Sequence, residues 1–122
     1  MQYKEIVKKV QDYSGCSEDE AKAVIRTVVE SIASKLDDAE RKDFGSYLPK
    51  QLKAFALAVS RENEIAEPDD IYKEYALDRR IDEQTAKKQI MAVWNVLEEM
   101  LGDGQLAHIR GDLPKNLTED LN

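Results

Sequence analysis

SEDEAKAVIRTVVESIASKL, residues 17–36, decides the fold. Its apolar residues Ala21, Val24, Ile25, Val28, Ile32 and Leu36 recur in three- and four-residue steps, the stripe of an amphipathic helix. Ser17 and Glu20 have the capping-box spacing that satisfies free N–H groups at a helix start. Upstream, Ile6, Val7 and Val10 mark a first helix over about Tyr3–Tyr13. Ser14-Gly15 ends it, because glycine accepts the left-handed conformation common after a helix C-terminus. Downstream, Asp37 or Asp38 caps a shorter helix through about Tyr47. Leu48-Pro49 then starts another carrying Leu52, Phe55 and Val59, since proline holds Leu48 extended and suits a first helical turn.

The same phrase returns. Residues 48–52 are LPKQL and residues 113–117 are LPKNL, with Pro49 and Pro114 standing 65 residues apart. That offset aligns residues 6–57 with 71–122 without a gap. Ile6, Lys8, Glu18, Ala21, Lys22, Ile25, Val28, Leu36 and Asp38 meet identical residues. The matches are mainly apolar positions and helix signals, which is what a duplicated fold preserves. The expected second set of helices covers about Ile71–Asp78, Glu83–Leu101, Gln105–Gly111 and Pro114–Leu121, with Asp82 capping the second. No segment alternates with period two. The expectation is therefore an all-α chain forming one domain over 1–122. It is a compact bundle of two tandem repeats, about 1–62 and 69–122, joined by a linker at 62–68 and related by a pseudo-two-fold.

The chain has 122 residues, 42% of them apolar, enough for one packed core. Net charge is −7. Residues 1–67 hold 11 Lys/Arg against 13 Asp/Glu, net −2; residues 68–122 hold 7 against 12, net −5. Neither part has the basic surplus that drives nucleic-acid binding. No apolar run approaches the about 20 residues of a membrane span, and the charged N-terminus lacks the apolar core of a signal peptide. The single cysteine, Cys16, excludes an internal disulfide. A cytoplasmic location is expected.

Leu48, Pro49, Leu52, Leu113, Pro114 and Leu117 read first as helix starts with inward leucines, because the phrase recurs where the architecture recurs; a docking motif is the alternative. Trp94 stands where Val29 stands and reads as a filler between repeats, with an interaction anchor as the alternative. His108, the one histidine, aligns with the surface residue Asp43 and has no partner of metal-binding or catalytic type. Cys16 aligns with Ile81 and reads as a small apolar residue, although a helix N-terminus can activate a thiol. Glu18-Asp19-Glu20 and Asp37-Asp38 with Glu40 sit where caps belong. Neither they nor Glu98-Glu99 form a di-iron or calcium pattern. Asn116-Leu117-Thr118 fits a glycosylation pattern that a chain without a signal peptide does not expose to that machinery. No metal or cofactor is expected.

GCSEDEA at 15–21 and RIDEQTA at 80–86 each precede a long helix, AKAVIRTVVESIASKL and AKKQIMAVWNVLEEML. Each is followed by an LP-containing end, SYLPKQLKAF and GDLPKNLTED. This set resembles the bacterial family called domain of unknown function 2267 over nearly the whole chain. Arg80 departs from the family's usual glycine, and the tail after Leu117 lacks its frequent aromatic. The resemblance implies an all-α fold and no established activity. The first hairpin is also similar to the dimer body of histone-like HU and IHF proteins. The strands and basic arms that grip DNA in those proteins are replaced here by DAERKDFGSYLP.

The expectation is a non-enzymatic module that binds an unidentified protein or itself, with no membrane partner. A nucleic-acid protein related to HU and a small-molecule binder with a cleft between repeats are the alternatives.

Overall fold

The computed structural model describes residues 2–58 and 71–101. Among them there are six helices and no strand. Helix α1 spans Tyr3–Ser14, α2 Glu18–Lys35, α3 Asp38–Ser46, α4 Lys50–Ala58, α5 Ile71–Arg79 and α6 Glu83–Met100.

The helix ends follow local chemistry. Gly15 closes α1 at φ 74°, and its N–H bonds Gln11 O. Ser17 opens α2 with the expected capping box, Ser17 Oγ accepting from Glu20 N and Ser17 N donating to Glu20 Oε1, both 3.1 Å. Asp37, of the two candidates, opens α3, and with Glu40 it builds a second box at 2.8 and 3.1 Å. Pro49 O accepts from Lys53 N at 2.9 Å, the first turn of α4. Asp82 opens α6 by accepting from Thr85 N at 2.6 Å. The expected helices over Gln105–Gly111 and Pro114–Leu121, the linker at 62–68 and Val59 lie outside the described residues.

Helix α2 buries Ala21, Val24, Ile25, Val28, Val29, Ile32 and Ala33. That stripe is wider than the simple three-four pattern, because α2 packs against α1, α4 and α6. Helix α6 is more enclosed still. It packs on α1, α2 and α5, so Ala92, Trp94 and Val96 are buried beside the main stripe. The buried side chains of all six helices join in one cluster.

Arg41 is a buried cation that sequence pattern does not reveal. Its Nε donates to Ala33 O at 3.0 Å and its Nη2 to Leu36 O at 2.9 Å. These carbonyls lie in the last turn and at the C-cap of α2, where helix carbonyls run short of partners; Ala33 O also accepts from Leu36 N at 3.2 Å. The guanidinium thus fastens α3 to the end of α2. Its ion pair with Asp38, at 3.2 Å, adds little, since the Asp38 side chain is 91% exposed.

Candidate functional site

On α1, Lys9 and Tyr13 lie one turn apart and face α6. Lys9 Nζ meets Glu99 Oε2 at 2.6 Å, and the Tyr13 hydroxyl donates to Glu99 Oε1. Both hydrogen bonds favour the carboxylate, so Glu99 titrates below its usual range. The same contacts push Lys9 and Tyr13 upward. All three side chains remain wet, which makes this an interhelical brace on the surface. Asn95 and Glu98 border the shallow depression beside it.

A second polar group is buried. Tyr75 on α5 donates to Gln89 Oε1 on α6 at 3.0 Å. Gln89 Nε2 then donates to Glu20 Oε2, the capping carboxylate of α2, at 3.2 Å. Burial pushes the Tyr75 phenol up to about 12. Glu20 is held below the usual carboxylate range, first by the backbone and side chain of Ser17 and then by Gln89 against opposing desolvation. Each member has a role in holding three helices together. Nearby, Ser14 Oγ donates to Val10 O at 2.6 Å and lies 3.0 Å from Cys16 Sγ. The Cys16 side chain is half-buried against the core, as is Ile81, its partner in the alignment.

The third feature is a groove on the outside of the α1–α2 hairpin, half open to solvent and of about 520 Å³. Tyr3, half-buried, and Val7, buried at 4% exposure, supply its apolar lining. Lys4, Lys8 and Gln11 follow one another along α1 as one wall, and Glu18 and Lys22 on α2 form the other. The walls are ridges of residues three and four apart, which helices place on one face.

Of the sequence-predicted residues, Leu48 and Leu52 are buried, at 7% and 1% exposure. The LPKQL phrase therefore turns Lys50 and Gln51, not its leucines, toward solvent. Leu113, Pro114, Leu117, His108 and the Asn116 pattern lie outside the described residues. Trp94 is wholly buried, so its ring as folded offers no face to a partner. Of the acidic clusters, Glu20, Asp37, Glu40 and Glu99 are engaged in caps or the brace. The groove was missed because it needs α1 and α2 side by side. The available signal was Lys4, Lys8 and Gln11 at helical spacing beside Val7.

The architecture is that of an all-helical protein whose described polar clusters are caps and cross-links between helices. The chain matches the family model described as "Uncharacterized conserved protein (DUF2267)" over residues 3–119 and belongs to that family. No curated protein and no solved structure matches it. Among the described residues no helix is long and apolar enough to cross a membrane.

Proposed function

We propose that this chain is a non-enzymatic protein-interaction module and that the α1–α2 groove is where it binds. The observation that carries this reading is the groove's lining: Tyr3 and Val7 among the charged side chains of α1 and α2, open to solvent. Such a surface suits a side chain presented by a partner, whereas small-molecule sites enclose most of their ligand. The capping and bracing roles of Glu20, Asp37, Glu40 and Glu99 account for those carboxylates without acid–base chemistry. On this reading the protein works in the bacterial cytoplasm, where Cys16 needs no disulfide partner.

We also propose that the bundle is a duplicated unit with a pseudo-two-fold. Helices α2 and α6 have 18 residues each and start at Glu18 and Glu83, the alignment offset apart; α1 and α5 end at Ser14 and Arg79, again that offset apart. Those coincidences support it.

The test combines light scattering of the purified chain over a range of concentrations with cross-linked capture from its native cells. A stoichiometric partner, or a dimer that grows with concentration, is expected. A chain that stays monomeric and captures nothing sinks the proposal.

A further inference from the structure

We propose that the α1–α2 groove receives an acidic amphipathic helix from a partner protein. This rests on the interaction role proposed above and assigns the chemistry of the partner. Charge is the first argument. The whole chain carries −7, yet the groove rim holds Lys4, Lys8 and Lys22 against the single carboxylate of Glu18. Lys4 and Lys8 have no ion pair among the described residues. Lys22 pairs with Glu18 at 3.5 Å, with side chains 47% and 66% exposed, a contact weak enough for an incoming carboxylate to replace. An acidic ligand is thus attracted to this rim, although the chain as a whole carries a net negative charge.

Backbone chemistry decides the ligand's conformation. Both walls are helices, whose N–H and C=O groups are satisfied internally. They offer no sheet edge to which an extended peptide could add, so the helix-in-groove mode remains. The α1 wall runs from Lys4 to Gln11, about two turns or 10 Å. A helix lying there places one apolar side chain against Tyr3 and Val7 and puts carboxylates a turn apart beside the lysines. Gln11 supplies a neutral hydrogen-bonding group at the end.

The corresponding place on α5 and α6 sharpens the assignment. Tyr72 stands where Val7 stands, and it is buried. Lys87 stands where Lys22 stands, and its Nζ lies over the Tyr72 ring, 5.8 Å from the centroid. There the chain's own aromatic ring engages the lysine, whereas the aliphatic Val7 offers no ring to Lys22.

The test is a titration of the isotope-labelled full chain, followed by backbone amide resonances. The probe is an end-capped synthetic peptide of about 15 residues, the length at which a helix begins to hold alone, with leucine on one face and glutamate elsewhere. Saturable shifts at Lys4, Lys8, Gln11 and Lys22 are expected, weakening as salt rises. The charge-reversed K4E/K8E/K22E chain should bind at least about tenfold more weakly, like charges in contact being strongly unfavourable. K4R/K8R/K22R should bind as the parent does, and K42E/K53E, altered outside the groove, should too. Circular dichroism checks that each variant folds. The proposal is overturned if the peptide shifts nothing or binds elsewhere. It is equally overturned if only phosphatidylglycerol vesicles, or raised concentration of the chain itself, shift the groove. Used as baits, the same chains separate the two proposals. A partner kept equally by parent and K4E/K8E/K22E chains sinks the groove assignment alone. Absence of any partner, with the chain monomeric, sinks the interaction role, while the titration still reports on the groove.

Discussion

The α1–α2 and α5–α6 hairpins have the same backbone plan and different interiors. Gly15 ends α1 at φ 74°, and Arg80 follows α5 at φ 58°, both left-handed. Ser17 and Asp82 both open the long helices by accepting from the N–H three residues on, although only Ser17 has the reciprocal glutamate bond. Inside, the first hairpin offers Val10, Val24 and Val29, and the second offers Tyr75, Gln89 and Trp94 at the aligned positions, all buried. A polar pair replaces an apolar one without an orphaned group, because the tyrosine donates to the glutamine and the glutamine to Glu20. The comparison teaches that helix placement withstands exchange of core chemistry when the exchanged residues satisfy one another.

The largest expected effect is at Trp94. Trp94→Ala should cost about 3–5 kcal/mol, and Val29→Ala, at the aligned site, about 2 kcal/mol. Urea unfolding measures both, and equal losses would break the claim that the second hairpin depends on its bulk. Leu52→Ala, buried in the LPKQL phrase, should cost roughly 2–5 kcal/mol; a loss under about 0.5 kcal/mol belongs to exposed positions and would return the phrase to docking.

Next come the buried polar residues. Tyr75→Phe and Gln89→Leu should each cost about 1–3 kcal/mol, because each strands the other's polar group. The double variant should lose less than the sum by at least about 0.5 kcal/mol. Strict additivity would mean the two do not act together. The left-handed turns differ in residue type, so their variants should move oppositely. Gly15→Ala should destabilise by about 1–2 kcal/mol. Arg80→Gly should relieve a similar strain, offset by the looser unfolded chain, for a gain of up to about 1 kcal/mol.

The smallest effect is the surface brace, read through pH. Glu99 titrates below its ordinary 4.5, so its contribution is present above that pH and fades as pH falls through the lowered value. Lys9 titrates above 10.5, so its contribution holds below that pH and fades as pH rises through the raised value. The stability difference between parent and Glu99→Gln should therefore be flat across neutral pH and shrink at both ends. A difference independent of pH from strong acid to strong base would remove the brace from the account.

Much of this plan was legible in the chain. Ser17 with Glu20, Asp82 and Gly15 act on backbone groups within four residues, so their meaning survives without tertiary context. Arg41 did not show itself: its acceptors, Ala33 O and Leu36 O, are backbone atoms on another element, and a charged residue in a helix reads as solvated. Gln89 was hidden for a similar reason, since a glutamine inside an apolar stripe makes sense only once Tyr75 and Glu20 flank it. The widened stripe of α6 also waited on knowing that three helices surround it.

The sequence by itself determined the helix ends at Gly15, Ser17 and Asp82, because capping and periodicity are local. Tertiary structure decided which neighbours those helices meet. It thereby decided against docking roles for the buried Trp94 and Leu52, and it decided that Glu99 is shared by Lys9 and Tyr13 and that Lys4, Lys8 and Lys22 border one groove. Those outcomes depend on packing between residues far apart in the chain, where volume and distance matter and sequence spacing is silent.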